Sequence, residues 1–253
     1  MNRTPPIHLA LVGLLCATTA GCDADDTPTQ QDYDDVATAM SSALVTEDQG
    51  DVASMDDVLL IAEGDTPSGM DQDDGTYVGG TASFEYRYRV ECTDASGTAL
   101  QVCDETTDEA AVDVEWSGTL STTRYDTRVE RTGSWSLSNI QSDLVTFAGT
   151  SSFELASSFT ALSRDVRRTY ELSYAASYDE LVYDRTSAAL TGTVRYDVDA
   201  QRMADRGDSN VDASFSMDAT LTFHGDHTAT LVLDGEYSYR IDIDTGELTV
   251  ISG

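Results

Sequence analysis

Two of the three histidines, two of the four cysteines and a long series of aspartates are the side chains downstream of residue 23 with chemistry to offer. His224 and His227 flank Gly225-Asp226, a hairpin-turn pair, so they read as cross-strand neighbours with Asp226 at the tip. Two imidazoles and a carboxylate are divalent-metal ligands, but a site also needs a further ligand and rings on one face. His224, Asp226 and His227 are therefore a weak metal candidate, and no cofactor is expected of the domain. The plainer reading is a solvated hairpin end. Cys92 and Cys103 enclose Thr93 to Val102 and, in an oxidising compartment, read as a disulfide, which leaves residues 23–253 with no free thiol for catalysis and no thiolate zinc site. No lysine occurs in the 253 residues, which excludes a Schiff base, a Walker-type phosphate loop and a Ser-Lys dyad. The 46 Asp and Glu residues can supply acid–base pairs for a carboxylate-based hydrolase, but the separation such pairs need is spatial. Abundance makes them uninformative.

Asp71-Gln72-Asp73-Asp74-Gly75 and Asp242-Ile243-Asp244-Thr245-Gly246 depart from calcium-loop order, because glycine comes one position early and no bidentate glutamate closes either loop. Gly207-Asp208-Ser209-Asn210 resembles the nucleophile block of GDSL-type hydrolases. It lies in a polar stretch without the Asp-x-x-His partner, and no Gly-x-Ser-x-Gly elbow occurs. The overlapping Arg206-Gly207-Asp208-Ser209 resembles an integrin-binding loop, a match that is cheap in an Asp- and Gly-rich chain. The start of the chain is more specific. Arg3 precedes an uncharged run from Ile7 to Ala20, and Thr19-Ala20-Gly21-Cys22 follows. That order resembles a bacterial lipoprotein signal peptide with its lipobox. The resemblance implies cleavage before Cys22, acyl and diacylglycerol modification of Cys22, and attachment to the cell envelope at the outer membrane or cell surface. The run, at about fourteen residues, is shorter than the roughly twenty that span a bilayer as a helix. Asp23, directly after the cysteine, resembles an inner-membrane retention signal of enterobacterial systems.

Removal of residues 1–21 takes away Arg3 and moves the formal net charge from −32 to −33. Such a field repels nucleic acid and anionic headgroups and favours cations or basic envelope proteins as partners. Asp residues are spread along the whole chain, the distribution expected of a saline environment or a GC-rich genome rather than of one dedicated face.

Residues 22–31 read as the modified cysteine and a polar tether. Within 32–64, Tyr33, Val36, Ala37, Met40 and Leu44 form one helical stripe, and Val52, Met55, Val58, Leu59 and Ala62 form a second that stops at Gly64. Asp32, Asp34 and Asp35 fall in cap and first-turn positions, where carboxylates favour the helix dipole. Residues 65–80 read as an acidic, Gly-rich loop. From Thr81 the period becomes two, with Phe84, Tyr86, Tyr88 and Val90 alternating with Glu85, Arg87, Arg89 and Glu91, and similar runs recur to the end of 81–253. Asp234-Gly235 and Asp244-Thr245-Gly246 are hairpin turns.

Trp116-x-Gly118, Phe147-x-Gly149 and Leu190-x-Gly192 put glycines on the apolar face, which points to strong coiling with the neighbouring large side chain covering each gap. The expectation is a mainly β domain: an antiparallel meander of about nine or ten strands, curled into a half-open or closed barrel, with both helices on its apolar face. A β-sandwich is the competing shape. An outer-membrane barrel fits less well, since Arg131 and Arg168 fall on apolar-face positions and no aromatic girdle is evident. The functional expectation is a monomeric, lipid-anchored, non-catalytic extracytoplasmic protein with a binding or structural role. A carrier of a lipid or other apolar ligand in a curved-sheet cavity is the alternative.

Overall fold

The computed structural model describes residues 27–45, 50–73, 75–81, 83–121, 125–161, 166–205 and 210–253. Cys22 and residues 206–209, which carry the lipobox cysteine and the Arg-Gly-Asp-Ser segment, lie outside them, as does Asp74. Two helices, α1 (Gln30–Leu44) and α2 (Asp51–Ala62), precede twelve strands. These are β1 (Met70–Asp73), β2 (Thr76–Thr81), β3 (Phe84–Asp94), β4 (Thr107–Ser121), β5 (Tyr125–Ser138) and β6 (Leu144–Ala161). There follow β7 (Val166–Asp184), β8 (Ala189–Asp205), β9 (Asn210–His224), β10 (Thr228–Leu233), β11 (Tyr237–Asp242) and β12 (Leu248–Ser252). They form one antiparallel sheet in the order β1 to β12, each strand pairing with its neighbours in the chain, and the sheet does not close.

Every residue predicted for the α1 stripe is buried, and α2 buries Met55, Val58, Leu59 and Ala62 of its own. The apolar face of the sheet holds the other half of the core. On β3, Phe84, Tyr86, Tyr88, Val90 and Cys92 point inward and Glu85, Arg87, Arg89 and Glu91 outward. One buried cluster takes in both helices and the inward residues from β2 to β11. α2 lies against β3 and β4 while α1 lies against β10, β11 and β12, so the helices link the two flanks of the open sheet from inside.

Several boundaries differ from those expected. α1 begins at Gln30 rather than inside the 32–64 segment, because Thr29 is the N-cap: its backbone N–H and hydroxyl both donate to Asp32 Oδ2, at 2.8 and 2.6 Å. Asp34 and Asp35 therefore sit in the body of the helix. The expected 65–80 loop contains the β1–β2 hairpin, which buries Tyr77 on β3 and turns at Gly75 with φ +72°. The strand total is twelve, not nine or ten, partly for that reason. β6 is moreover one strand of 18 residues, although Ser151 interrupts its apolar alternation.

The expectation that a neighbouring large side chain covers each glycine is met by a different residue at each place. The register sets Gly118 opposite Phe84, Gly149 opposite Trp135 and Gly192 opposite Phe223, but only Phe84 puts its ring into the gap; Leu181 of β7 meets Gly192, and β5 backbone meets Gly149. A Cβ at Gly118 would collide with the Phe84 ring. Gly149, with φ +145°, lies at a register shift between β6 and β7, where the backbone of β5 comes too close for any side chain.

Candidate functional site

Two places in the fold concentrate polar chemistry: a node inside the core and the outward face of β5 to β9. The node begins with Asp51 at the first position of α2, where a carboxylate complements the helix dipole. Asp51 forms an ion pair with Arg131 of β5, and both side chains are out of solvent. Arg131 Nη2 donates to Tyr178 Oη at 2.6 Å, and the Tyr178 hydroxyl donates to Asp51 Oδ2 at 3.0 Å. Ser151 Oγ lies 3.0 Å from the same hydroxyl. The guanidinium stands over Trp116 and Trp135, with its carbon 4.7 and 5.2 Å from the two ring centroids. Two aromatic faces and a carboxylate replace part of the hydration that burial removes, while Arg131 Nε is left without a hydrogen-bond partner. Burial keeps the neighbouring Tyr174 and Tyr196 phenols protonated by pushing both upward. The node fastens α2 to the middle of the sheet. Sequence reading placed Arg131 on the apolar face but found neither Ser151 nor Asp51 as its partners. The only signal available was a polar residue at an inward position of each of two neighbouring strands.

A second set of polar contacts seats α1. Asp32 pairs with Arg202 of β8, the Tyr33 hydroxyl donates to Asp234 Oδ2 at 2.8 Å, and the Tyr239 hydroxyl donates to Asp34 Oδ1 at 2.8 Å. On α2, burial pushes Asp57 up to about 6, with Asp56 adding charge repulsion, while a hydrogen bond from the Tyr88 hydroxyl at 3.3 Å opposes the rise. Burial also raises Asp56.

The outward face is the broad part of the sheet open to a partner. A depression of about 610 Å³ crosses β5 to β9, with Arg128, Glu130, Glu154, Glu171, Asp199, Gln201 and Ser216 among its lining residues. Glu130 and Glu154 stand directly opposite one another across β5 and β6, a like-charge pair that costs stability. Arg128 pairs with Glu130, and Ser216 Oγ donates to Asp199 Oδ1 at 2.6 Å. Four carboxylates facing one guanidinium leave the depression anionic. A second depression, of about 760 Å³, is lined by small residues such as Thr132, Ser134, Thr150, Ser152, Ala175 and Ser177, with Arg195 and Asp197 beside them.

The residues singled out in the sequence are dispersed. Cys92 and Cys103 form the expected disulfide, with their Cα atoms 5.4 Å apart. His224 and His227 are not cross-strand neighbours. Ala229 pairs with Phe223, so the turn between β9 and β10 has three residues and His227 takes φ +58° within it. His224 Nε2 lies 2.8 Å from Thr230 Oγ1, and His227 Nδ1 lies 3.0 Å from Asp244 Oδ1. Asp226 turns back to accept from the Thr228 hydroxyl at 2.6 Å. The weak metal candidate is thus divided among three sets of partners, and among the described residues no group of three or more His, Cys, Asp and Glu is placed to hold a metal ion. Asp242 accepts from Asp244 N, Thr245 N and the Thr245 hydroxyl, which makes it a turn-forming carboxylate and holds it below the usual range. The Arg168 side chain lies outside those described. Among the described residues no helix is long and apolar enough to cross a membrane. Compared with known proteins, the chain matches no family model, no curated protein and no solved structure.

Proposed function

We propose that this chain is a lipid-anchored, non-catalytic protein of the bacterial cell envelope, held by acylated Cys22, and that its outward sheet face binds a cationic or basic partner. The observation that carries this reading is the filling of the concave face. α1, α2 and the aromatic side chains occupy it, and the small void beside Asp51, Tyr174 and Tyr196 has a volume of about 10 Å³, the size of one water. That filling favours display of the outer surface over carriage of an apolar ligand. The anionic depression across β5 to β9 supports a partner of positive charge.

Detergent phase partition tests the anchor. The full chain is expected in the detergent phase with a lipid mass on Cys22, and a Cys22→Ser variant in the aqueous phase. A Cys22→Ser chain that still partitions with membranes overturns the anchoring. Binding is tested on the soluble domain with polyarginine: Glu154→Gln and Glu171→Gln together are expected to weaken it, and unchanged affinity overturns the assignment of that face.

A further inference from the structure

The sheet has two free edges, and they are built differently. β1 is short and carries Asp71, Gln72 and Asp73, the charged edge with which natural sheets discourage pairing. β12 carries Leu248-Thr249-Val250-Ile251-Ser252, without a charge, and Val250 and Ile251 are each 57 % exposed. Its inner side is only partly covered. Val250 stands opposite the fully buried Tyr239, in the direction of the core, yet remains exposed because no further strand lies beside it among the described residues. Among the described strands β12 pairs with β11 alone, with a register shift at Ser238/Tyr239, and an edge of that kind beside exposed β-branched side chains is a template for strand addition.

The geometry points to β12 as a docking edge for an extended segment of another protein, added as a thirteenth strand, with apolar residues at its centre and a basic residue at each end. Charge selects this occupant. Exposed Glu236 lies at the turn before β11, beyond Ser252, while Asp244 and Glu247 lie at the opposite end, before Leu248. Arg240 is the cation beside the middle of the edge, opposite Thr249, so basic residues are favoured at the ends of the segment and not at its centre. A second copy of this chain, pairing antiparallel through β12, would bring the Asp244 and Glu247 end of one copy toward the Glu236 end of the other. Like charges oppose it at both ends. The five residues of β12 set the length of the paired segment at about 17 Å, so about seven residues reach the carboxylates at both ends.

This inference shares with the proposed function only the sign of the partner's charge, and a site-resolved measurement separates the two. The probe is acetyl-Arg-Thr-Val-Thr-Val-Thr-Arg-amide, titrated into the soluble domain and followed by amide chemical shifts and amide hydrogen exchange. Shifts are expected in β11 and β12, with exchange of β12 amides slowed about tenfold at saturation. Affinity is expected to fall about tenfold for the glutamate-ended peptide and again in about 0.5 M salt. Val250→Lys is expected to abolish binding, and Ile251→Lys serves where near-ultraviolet dichroism shows the first variant unfolded. Shifts confined to β5 to β9 overturn the edge site and leave the outward-face reading standing. Equal affinity for the glutamate-ended peptide overturns it as well. A dimer mass with β12 amides already protected in the free protein shows a second copy on the edge and overturns it too.

Discussion

An Arg131→Leu substitution strands the Asp51 carboxylate in the core without the guanidinium, with the hydrogen bond from the Tyr178 hydroxyl left beside it. A buried charge left without its partner costs about 3–5 kcal/mol, and urea denaturation of the variant is expected to show a loss of that order. Replacing both partners, as Arg131→Met with Asp51→Leu, removes the orphan charge and is expected to recover most of the loss. A double variant no more stable than the single one shows that the pairing is not the cause. Asp57 sets a pH dependence of opposite sense to that of an ordinary ion-paired carboxylate. Its folded-state value of about 6 lies above the unfolded value of about 3.9, so between these limits the folded chain binds more protons. Stability from this group therefore falls as pH rises from about 4 to 6 and is level above. An Asp57→Asn variant is expected to lose that slope and to melt higher than the parent at neutral pH, as thermal melts across the window would show.

Among the elements, the helices were the most legible in the sequence. Tyr33, Val36, Ala37, Met40 and Leu44 needed only helical spacing, since all five face one surface. The strands were legible where inward positions are uniformly apolar, as in β3, and less so where Arg131 and Ser151 occupy inward positions for the sake of Asp51. β1 and β2 were read as loop because an edge hairpin is polar for reasons of edge protection, and polarity is also how loops look. The β9–β10 turn was misread by one residue, enough to part His224 from His227. Local composition does not show which residue takes the left-handed conformation. Gly149 is among the sheet's tightest local constraints. Gly149→Ala forces a side chain into φ +145° and into the Ser134 carbonyl, and is expected to lose about 2 kcal/mol or more in thermal or urea unfolding. Gly97→Ala, at φ +78° with open space around it, is expected to cost less, about 1 kcal/mol.

For the whole molecule, charge and topology matter more than any single contact. A formal net charge of −32 on 253 residues opposes the compact state by self-repulsion. Raising salt from about 0.02 to 1 M is expected to raise the melting temperature, since exposed charges beyond a few ångströms are then screened. A temperature that falls with salt would mean that surface ion pairs such as Arg87–Glu85 outweigh the repulsion. Fold class was legible at this scale because alternation and turns recur along the chain. The seating of both helices on the apolar face was legible as well; how completely they fill it was not, because that depends on packing between side chains far apart in sequence.

The seat of α1 bears on the order in which the molecule can be made. Tyr33 meets Asp234 across 201 residues of sequence, while Tyr239 meets Asp34 and Ser41 meets the Gly246 carbonyl across 205. Each hairpin of the meander can form as soon as its two strands exist, whereas the first helix lacks part of the surface it covers until β10, β11 and β12 arrive. A chain interrupted before β10 keeps an almost complete sheet together with a helix whose apolar stripe is only partly covered, a species open to proteases and to aggregation. Residues 228–253 thus act as a completion check on α1, which is fully seated only once β10, β11 and β12 have joined the sheet.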